Sequence, residues 1–237
     1  MGAISHIVRN LPNTDEKLKR QTLCALSSCA KHSSEIAEVV VEAEIFPDVL
    51  IHLTHPSVNV KRNAACLIRE IVKHSLELTQ LVVNSGGIGA LVEVVGHCDD
   101  DVKIPCVTAL GFMAGHSEQL AMSELNCNLL ISLVDILNQS NNDPLLCVTT
   151  WTLGQIGKHS PETSHTIAVT GIFDKLNQFT VDPRSSEDLK CKARNTLKLC
   201  LQKCMLLSSL EPLLFSADPN ILKYVLGQYS KVSISSV

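Results

Sequence analysis

The sequence predicts an all-α protein built from tandem helical repeats, and three observations support this class. A tripeptide with a central histidine occurs four times, as Lys31-His32-Ser33, Lys73-His74-Ser75, Gly115-His116-Ser117 and Lys158-His159-Ser160. The intervals between these landmark histidines are 42, 42 and 43 residues, a period typical of stacked helical units. Apolar residues before each tripeptide recur with helical spacing. Only 3% of the residues are aromatic, and an aliphatic core suits packed helices better than a β-sandwich.

Each unit contains three apolar stretches, which predict a short, a medium and a long helix. The first two long helices place five residues each on one face, namely Leu18, Thr22, Ala25, Leu26 and Cys29, then Val60, Ala64, Leu67, Ile68 and Ile71. This spacing gives a broad apolar stripe. The serine after each landmark histidine is a suitable N-cap for the short helix. Glu35, Glu77 and Glu162 follow in its first turn, where the helix dipole favours negative charge, and Pro161 occupies a first helical position.

The alignment of these units predicts the repeat boundaries. The repeats span approximately residues 1–44, 45–86, 87–127, 128–171, 172–209 and 210–237, in a single solenoid over residues 1–237. The fifth has a strongly basic long helix, KCKARNTLKLCLQKC, and the loop TVDPRSSED before it is the only stretch that resembles a linker. The sixth is shortened, with Leu226-Gly227-Gln228 matching Leu153-Gly154-Gln155. One such unit cannot bury its apolar face alone, so stacking supplies the core.

The composition argues against several classes of protein. A chain that is 45% hydrophobic and 19% charged is not expected to be disordered. A net charge of −4 gives no reason to expect nucleic acid or an anionic membrane as partner. The ten cysteines include no Cys-x-x-Cys pair, so we expect reduced thiols packed in helices, in a cytosolic compartment. No apolar run approaches the length of a membrane span, and we predict neither a span nor a signal peptide.

The sequence also lacks the motifs of common enzymes. It contains no phosphate-binding glycine loop, no His-Glu-x-x-His and no Gly-x-Ser-x-Gly. Asp99-Asp100-Asp101 has no metal-ligand spacing and is better explained as negative charge at a helix N-terminus. The landmark histidines should lie about 10 Å apart at helix ends, too far to share a metal. Cys200 and Cys204 have no third ligand nearby. We therefore expect no catalytic site, cofactor or metal.

Several strings resemble known families. The medium helix begins with Gly-Ile or Ile-Phe, and the fourth long helix contains Trp-Thr-Leu-Gly-Gln. This combination resembles the armadillo family over nearly the whole chain. This resemblance implies a right-handed superhelical solenoid of about five repeats plus a shortened C-terminal one. The strings KHSSEIAEVVVEAEIFP, LIREIVKHSLELTQLVVN, WTLGQIGKHSPE and EPLLFSADPNILKYVLGQYSKV closely resemble the sperm-associated antigen six family.

The second resemblance carries expectations about function and about length. It implies a microtubule-associated structural role in the central apparatus of motile cilia and flagella, and a part in flagellar motility. Members of that family have further repeats before the point that corresponds to Met1 and a further segment after Val232. The resemblance therefore implies a shortened member, such as a short paralogue, a splice form or a partial product.

The long helices allow a test for an import receptor. Armadillo proteins that carry nuclear import cargo present Trp and, four residues later, Asn on each long helix, and this ladder clamps an extended basic peptide. Here the Trp position is occupied by Cys24, Cys66, Thr108, Trp151, Asn195 and Tyr224, and the Asn position by Ser28, Glu70, Phe112, Gln155, Leu199 and Gln228. Only the fourth repeat keeps half of the pair, so we do not expect an import receptor.

The same helix face carries cations, which predicts a ligand of negative charge. The residues three beyond the Asn position include Lys31, Lys73, Lys158 and Lys231, while Arg20 and Arg62 precede the Trp position by four. These residues share a helix face. An acidic or phosphorylated segment would complement them, and acidic tubulin tails would fit the family resemblance. A lysine near a helix C-terminus also stabilises the helix dipole by about 0.3–1 kcal/mol, so a purely structural role stays open as the alternative.

The predicted function is that of a non-enzymatic protein-binding scaffold of the axoneme, in the cytoplasm and cytoskeleton of cilia and flagella. Its candidate groove residues are Arg20, Lys31, Arg62, Glu70, Lys73, Trp151, Gln155, Lys158, Tyr224, Gln228 and Lys231. The expected partners are microtubules or acidic peptide segments and other central-apparatus proteins, without nucleic acid or membrane. The alternatives are a soluble armadillo adaptor in signalling or transport, and a truncated paralogue with no independent role.

Overall fold

The computed structural model describes residues 2–235 of the chain, and the side chains of residues 2–231. This part of the chain forms sixteen α-helices and no strands, which confirms the predicted all-α class. The helices are α1 (Gly2–Val8), α2 (Glu16–His32), α3 (Ser34–Val41), α4 (Phe46–His52), α5 (Val58–Val72), α6 (Leu76–Asn84), α7 (Gly87–His97), α8 (Asp100–His116), α9 (Glu118–Asn126), α10 (Leu129–Gln139), α11 (Asp143–Gly157), α12 (Pro161–Ala168), α13 (Ile172–Val181), α14 (Glu187–Leu201), α15 (Leu207–Ser216) and α16 (Pro219–Ser235).

The helices form two compact units, residues 1–116 and 117–237. In the first unit the long helices α2, α5 and α8 pack side by side, and the medium helices α1, α4 and α7 and the short helices α3 and α6 pack against them. In the second unit α11, α14 and α16 pack in the same manner, with α10, α12, α13 and α15 against them. The single solenoid over the whole chain and its repeat boundaries stay predictions.

The predicted apolar stripe forms the core of the first unit. All five predicted residues of α5 are buried, because α5 packs between α2 and α8. On α2 only Thr22 and Leu26 of the predicted five are buried, while Leu18, Ala25 and Cys29 keep some exposure. A helix with long neighbours on two sides thus buries more of its stripe than α2, which among the long helices packs on α5 alone.

The fifth predicted repeat differs from the expected three helices. α14 ends at Leu201 and α15 begins at Leu207, so no short helix lies between them. Residues 202–206 have the sequence QKCML, which offers no Ser, Thr, Asp or Asn to start a helix. Five residues are also too few for an N-cap, two helical turns and a corner, since one turn takes about 3.6 residues.

The serines that follow the landmark histidines begin the short helices as predicted. Each side-chain oxygen accepts a hydrogen bond from the backbone N–H three residues later, at 3.2–3.3 Å, and the four serines are Ser33, Ser75, Ser117 and Ser160. The hydrogen bond with Ser33 lowers the pKa of the Glu35 carboxyl. The Glu77 carboxyl has a lowered pKa because its own backbone N–H and then Ser75 hydrogen-bond to it. These caps satisfy backbone donors that the first turn of a helix leaves without partners.

Two landmark histidines join successive repeats of the first unit. The Nε2 atom of His74 lies 2.7 Å from the carbonyl oxygen of Ala30, and Nε2 of His116 lies 2.7 Å from that of Val72. Both carbonyls belong to the last turn of the preceding long helix, where backbone acceptors have no intrahelical donor. The ring N–H donates to them, so these histidines have the structural role that the sequence predicted.

A left-handed backbone residue occurs at the same corner of four repeats. These residues are Glu44 (φ 56°), Gly86 (φ 85°), Asn128 (φ 63°) and Gly171 (φ 73°), and each precedes a medium helix. Glycine adopts this conformation without steric cost, and asparagine tolerates it. Glu44 is therefore the strained member of the set.

Replacing Glu44 with glycine should raise the free energy of unfolding by about 1 kcal/mol, because it removes the Cβ from a left-handed position. Urea denaturation followed by circular dichroism measures the change. Asn128→Gly is the matched control and should gain less, since asparagine already tolerates this conformation. An equal gain in both variants would contradict the explanation by strain.

The ten cysteines all lie in the described part of the chain, and none forms a disulfide. Burial raises the pKa of the Cys147 thiol to about 12 and that of the Cys200 thiol to about 12. The expectation that all the thiols are packed in helices is wrong for Cys24, Cys127 and Cys191, which are exposed. Cys24 and Cys191 lie on the long helices α2 and α14, and Cys127 follows the end of α9.

No single helix of the described residues has the length and hydropathy to cross a membrane. Two helix pairs, α6 with α7 and α9 with α10, pass the same criteria together, and each pair is bent by 77°. Both pairs bury leucines inside their own unit, including Leu78, Leu91, Leu120 and Leu133.

His52 is a buried imidazole in the first unit. Its side chain is 5% exposed, and Nε2 lies 3.0 Å from the carbonyl oxygen of Leu11. Its Nδ1 atom is buried without a hydrogen-bond partner among the described residues. Burial lowers the pKa of this imidazole, so the folded protein holds it neutral at a pH where an exposed histidine begins to take up a proton.

The free energy of unfolding should therefore fall as the pH drops below about 6.5, where the unfolded chain binds a proton that folded His52 does not. The loss continues until the pH reaches the lower folded-state pKa. Chemical denaturation of the His52→Gln variant across this range should show a smaller slope than the wild type. His55→Gln, at a half-exposed neighbouring position, is the control. A slope unchanged by His52→Gln would exclude this residue as the cause.

Candidate groove between two long helices of the second unit

A pocket of about 290 Å³ lies on the second unit between α11 and α14. Four of its residues occupy the Trp and Asn positions of the two long helices, namely Trp151, Gln155, Asn195 and Leu199. Its other lining residues are Lys192, Thr196 and Lys198. The Trp and Asn positions of these two helices thus line a cavity, together with two ammonium groups. The polar and aromatic groups around it are one indole, two amides and the ammonium groups of Lys192 and Lys198.

Two glycines of α11 allow α14 to pack closely beneath this pocket. A Cβ on Gly154 would lie 2.7 Å from Oγ1 of Thr196 and 3.3 Å from its Cα, and a Cβ on Gly157 would overlap Sγ of Cys200. The Thr196 hydroxyl donates to the Thr150 carbonyl oxygen at 2.8 Å, across the same helix pair. Close backbone approach and a buried hydrogen bond therefore fix the spacing of α11 and α14.

Two lysines line the pocket, and a third lies on α11 beside Gln155. Lys192 pairs with Asp188 at 2.6 Å, whereas Lys198 forms no ion pair with the described residues. Lys158 donates to Oε1 of Gln155 at 2.7 Å, and partial burial lowers the pKa of its ammonium group. A negatively charged ligand in the pocket would find an unpaired cation in Lys198.

Lys192 and Lys198 were not among the candidate residues from the sequence. Lys192 belongs to the basic start that the sequence shows for the fifth long helix, and Lys198 lies one residue before the Asn position. Neither residue occupies the Trp position, the Asn position or one of the two cationic positions that share their helix face. The available signal was the basic composition of KCKARNTLKLCLQKC next to the tryptophan-bearing helix.

In the first unit, Glu70 forms an ion pair with Lys73, one of the cations predicted to line the groove. Glu70 is 5% exposed and accepts hydrogen bonds from Lys73 and from Arg69 Nε at 3.0 Å. Burial raises the pKa of the Glu70 carboxyl, but these hydrogen bonds outweigh burial and leave the pKa below its ordinary value. Lys73 also donates to the Lys31 carbonyl oxygen at 3.3 Å. The side chains of Glu70 and Lys73 thus both form hydrogen bonds within the first unit.

The remaining candidates differ in exposure. Arg62 and Lys31 are exposed on α5 and α2, and Arg20 is half-buried. Tyr224 on α16 is half-buried, with the Lys223 ammonium 5.0 Å from its ring centroid. The two others on α16 are Gln228, which is buried, and Lys231, which is exposed. The structure therefore brings Trp151, Gln155 and Lys158 together, and Gln228 has little surface to offer a partner.

Metal ligands do not converge in this structure. Among residues 2–231 no three His, Cys, Asp or Glu side chains come together in an arrangement that could hold a metal ion. The landmark histidines His74 and His116 instead hydrogen-bond to backbone carbonyls.

The comparisons with known proteins concern both sequence and fold. No family model matches the chain. Over 95 residues, 40% of this chain, it is 47% identical to Sperm-associated antigen 6 of Mus musculus and 46% identical to the Homo sapiens protein. The aligned part spans only 19% of the length of these curated relatives. A designed armadillo repeat protein superimposes with a TM-score of 0.80 at 19% identity, covering 95% of this chain and 98% of that one. The fold is that of the armadillo repeat proteins.

A second armadillo structure shows what this fold can accommodate. It is a designed armadillo repeat protein in complex with the peptide (KR)4, with a TM-score of 0.81 at 18% identity, covering 96% of this chain and 98% of that one. The resemblance to the armadillo proteins is thus confirmed in the fold. The resemblance to sperm-associated antigen 6 is confirmed as homology over the 95 aligned residues.

Proposed function

We propose that this armadillo chain is a non-enzymatic protein-binding scaffold that holds an acidic or phosphorylated segment against α11 and α14. The observation that carries the proposal is the pocket that Trp151, Lys192 and Lys198 line together. An indole supplies apolar contact area, and ammonium groups supply charge complementarity to carboxylates or phosphates. The armadillo neighbour with (KR)4 supports peptide binding by this fold, and the lysines here favour a ligand of the opposite sign.

The proposed setting is the axoneme of cilia and flagella. The homology to a protein named as sperm-associated supports it, over the 40% of this chain that aligns. In this setting the chain is a microtubule-associated component of the central apparatus that contributes to flagellar motility. The acidic tails of tubulin are the proposed ligand of the groove, and other central-apparatus proteins are further partners.

Fluorescence of Trp151 tests the groove directly, because it is the only tryptophan in the chain. Titration with the acidic peptide (DE)4 should change its emission, and (KR)4 should not. Lys198→Glu should weaken (DE)4 binding about tenfold, because it replaces an unpaired cation with an anion. Lys203→Glu, an exposed lysine just past the end of α14, is the control and should bind as the wild type does. Equal changes of Trp151 emission with both peptides, or equal effects of both substitutions on that change, would refute the acidic-ligand groove.

Two experiments test the axonemal setting. The tagged protein should localise to the axoneme of a ciliated cell. It should also co-sediment with microtubules, and less so after the acidic tails are removed by proteolysis. A protein that binds (DE)4 through Lys198 but stays diffuse in ciliated cells would instead support the alternative of a soluble adaptor.

A further inference from the structure

A second groove lies on the first unit, between the short helices α3 and α6. It encloses about 430 Å³, and no residue of a long helix lines it. Its apolar surface comes from Val41, Leu78 and Leu81, and Leu81 is 45% exposed. A volume within the range of about 300–1,000 Å³ that ligand pockets occupy can take one large apolar side chain and the backbone beside it.

Four carboxylates surround this apolar surface. They belong to Glu38, Glu42, Glu44 and Glu77, and no basic side chain lines the groove. None of the four forms an ion pair with another described residue. The backbone N–H of Glu77 and the Ser75 hydroxyl lower the pKa of the Glu77 carboxyl, which favours its charged form.

The local sequence keeps the groove uniformly negative. Residues 33–51 contain five acidic residues and no Lys, Arg or His, and residues 75–96 contain two acidic residues and no basic one. Like charges held close together raise the energy of the empty groove, and a cationic partner relieves that repulsion. The exposed leucine adds apolar area that a purely polar partner would leave in water.

We propose that the groove between α3 and α6 is a second protein-binding site, whose partner is a segment with an apolar side chain flanked by lysines or arginines. The apolar side chain lies against Leu78 and Leu81, and the flanking cations pair with the carboxylates. This site goes beyond the groove of the second unit, since it lies on other helices and takes a ligand of opposite charge. One scaffold can thus hold two partners that do not compete.

Fluorescence anisotropy of the full chain with a fluorescein-labelled KLKKLK peptide tests this site. The double substitution Glu38→Gln and Glu42→Gln should weaken binding about tenfold, since it removes two of the four charges and keeps similar side-chain volumes. Glu93→Gln, an exposed carboxylate on α7 outside the groove, is the matched control and should leave the affinity unchanged. The serine peptide KSKKSK, of equal charge, should bind clearly more weakly than KLKKLK.

The Glu44→Gly variant distinguishes a loss of binding from a loss of folding stability. This substitution removes one carboxylate of the groove and also relieves the left-handed backbone, so the variant should be more stable yet bind KLKKLK more weakly. Lys198→Glu should leave KLKKLK binding unchanged, so failure of the acidic-ligand groove does not affect this result. Absence of KLKKLK binding would overturn the proposal. Equal affinity for KSKKSK, or equal effects of the double substitution and Glu93→Gln, would overturn it as well.

Discussion

Alanine at Gly154 should lower the free energy of unfolding of the second unit by about 2 kcal/mol, the usual cost of overpacking a close helix contact. The new methyl group would lie 2.7 Å from Oγ1 and 3.3 Å from Cα of Thr196. A threonine hydroxyl can rotate away, but then it loses its 2.8 Å hydrogen bond to the Thr150 carbonyl. The backbone Cα can retreat only if α14 moves away from α11, and that movement opens the Trp151 pocket.

Gly227→Ala is a control within the same unit. Gly227 follows a leucine and precedes a glutamine, as Gly154 does, but a Cβ there would meet nothing within 4 Å. Alanine in an open helical position should therefore stabilise by up to about 1 kcal/mol. Thermal denaturation measures both variants, and Trp151 emission reports whether the pocket opens. Stabilisation by both substitutions would mean that α11 and α14 are not held at this distance.

Alanine at Glu70 should destabilise the first unit by about 2 kcal/mol. Removing one member of a buried ion pair usually costs about 3–5 kcal/mol. The cost is smaller here because the side chains of Lys73 and Arg69 are 24% and 30% exposed, so water can solvate them after the carboxylate is gone. The same substitution also leaves Arg69 and Lys73 without their carboxylate partner.

The pH dependence of the free energy of unfolding shows whether the charge of Glu70 stabilises the first unit. Because the folded-state pKa of Glu70 is lowered, its contribution is present above the unfolded value of about 4.3 and is lost as the pH falls through the folded value. The stability difference between the wild type and Glu70→Gln should therefore shrink on the acid side. Urea titrations at several pH values, with Glu93→Gln as control, measure it. A difference that stays constant through this range would mean that packing, not charge, stabilises the unit.

Local features were predictable from the sequence, and features that depend on neighbouring helices were not. Ser33 and Ser75 cap their helices through contacts within three residues, so their position after the histidine was sufficient to predict them. The engagement of Lys73 could not be predicted, because it depends on the burial of Glu70 and on a carbonyl of the preceding long helix. Lys198 was missed for the same reason, since only the packing of α14 on α11 places it beside Trp151.

The acidic groove shows a different limit. Of its four carboxylates, only Glu77 had a role predicted from the sequence, as a favourable charge in the first turn of a helix. The period of the repeat does not indicate that α3 and α6 leave a cavity between them, because the cavity depends on how the two helices pack in three dimensions. The left-handed conformation of Glu44 likewise appears only when the corner is built.

The hydrogen bonds from His74 and His116 have a consequence for how the first unit unfolds. Each bond joins one repeat to the repeat before it, so its free energy counts as coupling between neighbours and not as stability of either repeat. In a one-dimensional array, such coupling decides whether the layers melt together or fray one at a time from an end. The histidines that recur every 42 residues in the first unit therefore increase the cooperativity with which its layers unfold.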